Sequence, residues 1–230
     1  MQPTNIHDVK NSDHTKDETS VHHYRTMLIQ RIVAAFVAVV IGVLFLALPD
    51  YLTIGPNWLL LVVEGILLLP LLFFGYTKRL LSHNGIRILT LTMLGVATAA
   101  LASGLVLLIQ SLPGNSNAPL LLRSAALLWC SNILVFSLWY WELDGGGPLK
   151  RHLMGHKAAD FMFPQQTDGN TSNWVPHYLD YLFVAFTGAT ALSPADTYPL
   201  TRVAKGLMML EAIFSMIVIV LLAGRAVNII

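Results

Sequence analysis

The chain has 230 residues, of which 55% are hydrophobic and only 12% are charged. Soluble globular domains have about 25% charged residues, so the composition indicates an integral membrane protein and excludes an ordinary soluble domain. The net charge is +1 and the only cysteine is Cys130, which excludes a basic nucleic-acid-binding surface, an internal disulfide and a thiolate metal cluster.

The first 26 residues are polar and carry charges of both signs. A segment of this composition buries too little apolar surface to fold, so we predict a flexible tail over residues 1–26. No cleavable small-residue site follows the first apolar run, which argues against a secretory signal. Four histidines in the tail are irregularly spaced, so we expect them to be solvated rather than to bind a metal ion.

Five apolar runs have the length of transmembrane helices, because about 20 residues cross a hydrocarbon core about 30 Å thick. Turn-forming and charged residues separate the runs. The first three spans form an accessory unit within residues 27–111, and a second unit occupies residues 112–230. We predict an all-α membrane protein with five transmembrane helices, at residues 27–48, 58–76, 88–111, 120–141 and 207–230.

The positions of lysine and arginine predict how these spans are oriented. Five spans place the tail, the loop at 77–87 and the region 142–205 on one side of the membrane, and twelve of the fourteen basic residues belong to that side. Positive charge accumulates on the cytoplasmic side of membrane proteins. The charge distribution therefore predicts that the tail and the long region are cytoplasmic.

The region between the fourth and fifth spans has the pattern of a pore loop. A polar linker at 142–177 leads into the apolar run 178–191, which is helix-like but too short to cross a membrane. Residues 192–199 contain two prolines, which interrupt a helix. Irregular backbone at membrane depth persists only inside protein or beside water. We therefore predict a re-entrant pore helix at 178–191 and a filter-like loop at 192–199.

The residues from Thr187 to Pro199 resemble the pore helix and filter of the potassium-channel superfamily. That family has a threonine, then Thr-Val-Gly-Tyr-Gly-Asp, and a proline three residues beyond the aspartate. Thr187, Thr190, Asp196 and Pro199 stand at matching positions here. The residues that carry the resemblance therefore extend from the end of the predicted pore helix through the filter-like loop.

The resemblance implies an architecture and a function. It implies an outer helix at 120–141, an inner helix at 200–230, a homotetramer and the passage of monovalent cations through a central pore. Residues 139–148 and 160–165 also resemble a group of bacterial integral membrane proteins of unestablished function. This similarity implies a bacterial inner membrane location.

The filter-like loop departs from the family pattern at its centre. Ser193, Pro194 and Ala195 stand where potassium channels have Gly-Tyr-Gly. A residue with a Cβ pays about 1–2 kcal/mol to adopt the left-handed conformation that glycine allows, and proline fixes φ near −65°. Rings of backbone carbonyls tuned for potassium are therefore not expected. The hydroxyls of Ser193 and Thr190, or a ring of Asp196 carboxylates, would have to select an ion.

For three of the candidate pore residues a structural role competes with a pore role. Asp196 could equally well form a ring that attracts cations or brace the turn before Pro199. Thr187 and Thr190 could each bond back to a helix carbonyl rather than contact an ion, and for Thr187 this bracing is favoured. The candidate filter and pore residues are Thr187, Thr190, Ala191, Leu192, Ser193, Pro194, Ala195 and Asp196.

Two glutamates, Glu64 and Glu211, fall inside predicted spans. An intramembrane carboxylate is expensive and needs a partner. Glu64 could pair with Arg31 or Arg123 or stay protonated, and a structural hydrogen bond or ion pair is favoured over a proton-coupled role. For Glu211 we favour structural bonding near the pore helix, because the inner helices that this segment resembles also carry a glutamate there.

His152 and His156 are four residues apart, so they would share one face of a helix at a spacing that metal ligands use. No clear third ligand lies nearby in the sequence, and Gly155 weakens a helix at this point. We therefore predict no metal site and no cofactor.

Two functional hypotheses remain. The leading one is a homotetrameric, ion-channel-like protein that passes monovalent cations through a non-standard filter. The alternative is a non-conducting membrane scaffold or sensor that reuses the pore-loop fold, with Ser-Pro-Ala closing its centre. No glycine-rich phosphate loop, paired-histidine zinc motif or serine elbow is present, so we expect no enzyme activity. The expected partners are further copies of the chain, membrane lipids and monovalent cations, without nucleic acid.

The two lines of inference disagree about sidedness. In potassium channels the pore loop faces the outside of the cell. The twelve-to-two distribution of basic residues places the same region in the cytoplasm. Long loops obey the charge rule less strictly, yet the tail and the loop at 77–87 follow it on their own.

Overall fold

Most of the chain is helical. A computed structural model describes residues 32–76, 83–112, 117–190 and 196–227. Seven α-helices and two short strands occur within those ranges. The helices are α1 Ile32–Leu46, α2 Leu59–Tyr76, α3 His83–Ser111, α4 Ala118–Leu143, α5 Pro148–Leu153, α6 Tyr178–Ala189 and α7 Arg202–Val227, and the strands are β1 Phe161–Met162 and β2 Tyr198–Pro199.

Three helices among the described residues are long and apolar enough to cross a membrane, namely α3, α4 and α7. They contain 29, 26 and 26 residues, and about 20 residues are sufficient. Helix α1 and the segment Leu59–Pro70 of α2 are apolar but shorter. The chain is therefore a membrane protein, as its composition predicts.

The limits of α4 follow from its sequence. The side chain of Asn117 accepts a hydrogen bond from a backbone N–H of the first turn at 3.3 Å, and Pro119 occupies that turn, where its missing N–H costs nothing. The helix ends just before three consecutive glycines, residues 145–147, which have φ values of 62°, 80° and 100°. Only glycine adopts such angles readily. The chain therefore turns sharply out of α4 at this point.

Helix α4 is the centre of the bundle, and it packs against α3, α6 and α7. It runs antiparallel to α3, because the Trp139 indole N–H donates to the Thr98 hydroxyl at 2.8 Å while Gly104 lies against Leu128. Most residues between 131 and 141 are buried. The core of the protein therefore surrounds the second half of α4.

The loops that the sequence places on one side meet at one end of the bundle, which we call the linker end. The guanidinium of Arg87, near the start of α3, lies against Gly146 after the end of α4. The Leu200 N–H, just before α7, donates to the Asp160 carbonyl at 2.8 Å. Arg123 lies near the start of α4, at the opposite end. The packing thus brings together the ends of α3, α4 and α7 that the charge argument assigns to one side.

The predicted polar linker is folded. We call residues 144–177 the linker cap. Phe161 packs on Tyr140 with ring centroids 5.1 Å apart, and Phe163 packs on Tyr181 at 5.2 Å. The strand β1 of the cap pairs antiparallel with β2, which precedes α7. The cap therefore joins α4, α6 and the start of α7, a role that its composition did not predict.

Candidate functional site

Helix α6 lies between α4 and α7 and reaches only half-way along α4. At its start the Tyr178 hydroxyl is 2.6 Å from the Ser137 hydroxyl. At its end the Trp129 indole N–H donates to the Ala189 carbonyl at 3.4 Å. Ser137 and Trp129 are separated by about 12 Å along α4 at 1.5 Å per residue, and Trp129 is close to the midpoint of that helix. Helix α6 therefore runs antiparallel to α4, from the linker end to the middle.

The two faces of α6 have different environments. Tyr181, Val184 and Ala185 are at most 1% exposed and form the face that packs into the bundle. On the other face Leu179 is 71% exposed and Phe183 is 53% exposed. A short helix with an exposed apolar face suits a lipid or protein environment rather than water.

The two threonines near the end of α6 are bonded to their own helix. The buried Thr187 hydroxyl donates to the Val184 carbonyl at 2.9 Å. The Thr190 hydroxyl donates to the Phe186 carbonyl at 2.8 Å and is 3.4 Å from the Thr187 carbonyl. These are the i to i−3 and i−4 hydrogen bonds by which threonine side chains bind carbonyls of their own helix. The bracing role favoured for Thr187 matches this geometry, and Thr190 bonds in the same way.

The centre of the filter-like loop lies outside the described residues. Asp196, at its far side, is exposed, and the next residue, Thr197, is buried. Strand β2 follows directly and pairs with β1 of the linker cap. The candidate residues outside the described ranges are Ala191, Leu192, Ser193, Pro194 and Ala195.

Glu211 joins α4 to α7 next to α6. Its side chain is fully buried, and its Oε2 accepts a hydrogen bond from the Tyr140 hydroxyl. Nearer the middle of α4, the Asn132 side-chain amide donates hydrogen bonds to the Glu211 backbone carbonyl at 3.2 Å and to the Ser215 hydroxyl at 2.8 Å. A Cβ built on Gly188 of α6 would lie 2.8 Å from Oε2. The carboxyl group therefore fills the space that this glycine leaves, which agrees with the structural role expected for Glu211.

Glu64 of α2 fills a similar space beside a glycine of α1. It is 1% exposed on α2, and a Cβ built on Gly42 of α1 would lie 2.9 Å from its Oε2. The ion pair found within the described residues joins Arg151 and Asp144, and the expected pairing of Glu64 with Arg123 is not found there. Arg31, the other expected partner, lies outside the described ranges. Close packing on a glycine, rather than pairing with Arg123, thus characterises this site.

Asp144, at the end of α4, organises the linker cap, and the sequence indicated it only as one member of a polar cluster at a span end. Its Oδ1 accepts hydrogen bonds from the backbone N–H groups of Asp160 at 3.0 Å and Phe161 at 3.2 Å. Its Oδ2 accepts one from the Tyr181 hydroxyl at 2.5 Å. A buried carboxylate is stable only when its oxygens are bonded in this way. Asp144 therefore ties α4, the cap and α6 together.

Arg151 is the cationic partner of this carboxylate and is only 2% exposed. Its Nη1 is 3.8 Å from Asp144 Oδ2 and donates to the backbone carbonyls of Trp141 and Asp144, both at 3.0 Å. The guanidinium lies 4.8 Å from the ring centroid of Trp141 and 5.0 Å from that of Tyr181. Attraction to the two ring faces adds to the ion pair in a site without water access. The start of α6 is thus packed against a buried, charged core.

Asp160 extends the network to the start of α7. Its Oδ2 accepts a hydrogen bond from the Gly145 N–H at 3.0 Å, and its Oδ1 accepts one from the Thr201 hydroxyl at 2.8 Å. The polar residues at 141–144 and 151–160 are visible in the sequence as a cluster at a span end. Which of them pair was not predictable, because the partners are up to 41 residues apart.

Among the residues that the structure describes, no group of three or more His, Cys, Asp or Glu side chains is arranged to hold a metal ion. No family model, no curated protein and no solved structure matches this chain. Function is therefore inferred from two features of the described residues. These are the half-length helix α6 and the polar clusters around Asp144 and Glu211 that hold it in place.

Proposed function

We propose that the chain is a multi-pass protein of a bacterial inner membrane that forms a homotetrameric pore for monovalent cations. The observation that carries the proposal is the position of α6, whose C-terminal end lies beside Trp129 at the midpoint of α4. A helix end leaves up to four backbone carbonyls without helical partners. The Ala189 carbonyl is satisfied by Trp129, and lipid offers no donor at mid-membrane to a carbonyl that protein leaves open, so further protein or water must lie there. A water-filled pore beside the end of α6 meets this requirement.

The path of the chain after α6 supports a re-entrant loop. Strand β2 lies beside the linker cap, and Tyr140 packs against Phe161 of its partner strand β1. Trp129 and Tyr140 are separated by about 16 Å along α4. The residues between Thr190 and Tyr198 span up to about 26 Å when extended. The chain therefore has the length to enter the membrane as α6 and to leave on the side from which it came.

The direction of α6 favours cations. The C-terminal end of a helix carries a partial negative charge, equivalent to about half an elementary charge. Four copies of α6 around one axis would aim four such ends at a common centre. Asp196 is exposed a few residues beyond and would add a carboxylate ring near the mouth of the pore. Both features lower the energy of a cation and raise that of an anion.

The accessory helices complete a five-span arrangement in this proposal. Helix α1 packs on α2 through Gly42, which lies against Leu61. The side chain of Asn57 bonds the end of α1 to the turn before α2, with its amide 3.2 Å from the Leu46 carbonyl. Large apolar side chains such as Phe36 and Ile66 face outwards. A hairpin with an apolar exterior suits a lipid environment, and we infer that both helices cross the membrane.

The first test is ion flux through the purified protein in liposomes. We expect flux of K⁺ or Na⁺ above that of empty liposomes, and we expect Asp196→Asn to reduce it several-fold because it removes charge near the pore mouth. Asp168→Asn is the matched control, since Asp168 is exposed in the linker cap and should leave flux unchanged. The absence of flux of K⁺, Na⁺ and H⁺ above empty liposomes would contradict a channel, and a native mass spectrum without four chains of 25.3 kDa would contradict the tetramer.

Changing the filter sequence distinguishes a channel from the alternative, a non-conducting scaffold or sensor. The triple substitution of Ser193→Gly, Pro194→Tyr and Ala195→Gly gives the potassium-channel sequence at these positions. In a channel it should change the ratio of K⁺ to Na⁺ flux, because glycines allow carbonyl rings. Unchanged, background-level flux in both proteins would favour the scaffold.

Cysteine accessibility tests the side on which the linker cap lies. Ser172→Cys introduces a thiol at an exposed cap position in a chain whose native Cys130 is replaced by serine. From the charge distribution we expect a membrane-impermeant maleimide to label it only after the cells are permeabilised. Labelling of intact cells would instead give the orientation of potassium channels. A second thiol in the tail, at Ser12, should behave like Ser172→Cys, because five spans place both on one side.

A further inference from the structure

Two imidazole rings meet on the linker cap, apart from α6 and the filter-like loop. Nδ1 of His152 and Nε2 of His156 are 2.9 Å apart, and their ring centroids are 5.0 Å apart. Both residues are half-buried, so solvent reaches the pair. This distance is that of a hydrogen bond between the rings.

The backbone of His156 is held in an unusual conformation. Its φ is 54°, which is uncommon for a residue with a Cβ. Its carbonyl accepts hydrogen bonds from the side-chain amides of Gln166 at 2.7 Å and Asn170 at 3.2 Å. Its N–H donates to the Arg151 carbonyl at 3.0 Å. A conformation of this kind persists only where the surroundings over-determine it, and here three hydrogen bonds do so.

The residues that hold His156 are themselves fixed. The Asn170 side chain bonds both the carbonyl and the N–H of Trp174, at 2.9 Å and 2.8 Å. The Gln166 side chain accepts a hydrogen bond from the Phe163 N–H at 3.1 Å. Arg151, which directly precedes His152, is the buried partner of Asp144. The backbone that carries His156 is therefore held by a frame of hydrogen bonds, and the residue before His152 is anchored by Asp144.

A chelate with a right-angled bite would hold two nitrogens at this spacing, once the rings turn so that both lone pairs point at the ion. Two nitrogens 2.9 Å apart, each at a typical metal–imidazole distance of about 2.05 Å, subtend an angle of about 90° at the ion. A tetrahedral ion would need about 3.3 Å between them at the same bond length. Right angles are found in tetragonal and square-planar sites, which Cu²⁺ and Ni²⁺ prefer. We propose that His152 and His156 form a two-nitrogen site for Cu²⁺ that binds Ni²⁺ more weakly.

Binding requires both nitrogens to present a lone pair to the ion. The ring that donates in the hydrogen bond transfers its proton to its other nitrogen, so no net proton is released. No third His, Cys, Asp or Glu joins these two rings within the described residues, and water fills the remaining positions around the ion. The inference stands whether or not the chain conducts ions, because the site lies on the cap and not in the pore.

The test is a Cu²⁺ titration of the full-length protein in detergent, prepared without a polyhistidine tag. The tail histidines would compete for metal, so the background protein has His7, His14, His22 and His23 replaced by glutamine. We expect one Cu²⁺ per chain and an electron paramagnetic resonance spectrum with coupling to two nitrogens. His152→Gln and His156→Asn should each weaken binding at least about tenfold. Asparagine is chosen at 156 because it tolerates a positive φ.

Three results would overturn the site. They are the absence of saturable Cu²⁺ binding in the background protein, binding that survives the double substitution, and Zn²⁺ binding tighter than Cu²⁺. His177→Gln, at the exposed start of α6, is the control and should leave Cu²⁺ affinity unchanged. His152→Gln lies in a regular helix and keeps the folded cap, so the proposal remains testable even where His156→Asn unfolds the turn. Circular dichroism of each variant verifies the fold.

Discussion

Asp144→Ala is expected to lower the free energy of unfolding by about 3–5 kcal/mol, because it leaves the buried Arg151 guanidinium without its counter-charge. It also removes the acceptor for the backbone N–H groups of Asp160 and Phe161 and for the Tyr181 hydroxyl. Thermal and denaturant unfolding of the detergent-solubilised protein measures the loss.

Two further variants make this prediction specific. Asp144→Asn keeps an oxygen for the two backbone N–H groups but loses the charge, so its effect should be smaller than that of alanine. Asp168→Ala is the matched control in the same cap. The hydrogen bond from the Thr171 hydroxyl lowers the pKa of Asp168, so Asp168 is ionised at neutral pH, but its side chain is exposed. Its loss should change stability by less than about 0.5 kcal/mol. Equal effects of the two alanine variants would show that the buried network is not a major source of stability.

Gly188→Ala is expected to destabilise the protein by about 1–3 kcal/mol, the usual cost of overpacking. The new methyl group would lie 2.8 Å from Oε2 of Glu211. A surface glutamate would move aside at little cost, but this one is fully buried and bonded to the Tyr140 hydroxyl. Displacing the carboxyl group breaks that hydrogen bond inside the bundle. The same unfolding measurements apply, and ion flux should fall with them because α6 is pushed away from α7.

The control for this prediction is Gly206→Ala. Gly206 is also helical, on α7, but a Cβ there meets no atom within 4 Å. Alanine should therefore be neutral or stabilise by up to about 1 kcal/mol through its higher helix propensity. Adding Glu211→Ala to Gly188→Ala should recover part of the loss, since the two sites are in contact and their effects are not additive. Additive effects would mean that the Glu211 carboxyl group does not fill the space beside Gly188.

The sequence predicts helices where the apolar runs are longest. The run at 88–111 corresponds to α3, the run at 120–141 to α4 and the run at 207–230 to α7. Helices α3 and α7, which start at His83 and Arg202, begin more than one turn before their apolar runs, whereas α4, which starts at Ala118, begins close to its run. This difference arises because polar residues at the linker end, such as those before Ile88 and Leu207, continue the helical hydrogen bonds outside the apolar layer. Hydropathy locates the apolar layer, whereas backbone hydrogen bonding determines the helix ends.

The linker shows where a sequence pattern misleads. Glycine, asparagine and serine predicted a polar connection over 142–177, yet these residues form a folded cap. Phe161 and Phe163 are too isolated in the sequence to form a periodic apolar pattern. In the structure Phe161 packs against Tyr140 of α4, and Phe163 packs against Tyr181 of α6. The pairing of Asp144 with Arg151 also depends on the left-handed glycines that reverse the chain between them.

Composition and charge by themselves determined that this chain belongs in a membrane, because those properties depend on residue types and not on their partners. The sequence also identified the costly residues Glu64 and Glu211. Only the tertiary structure decided what each of them touches, that α6 stops at the middle of α4, and that two histidines meet on the cap. Contacts of this kind join residues far apart in the chain, and their geometry exists only after the helices have packed.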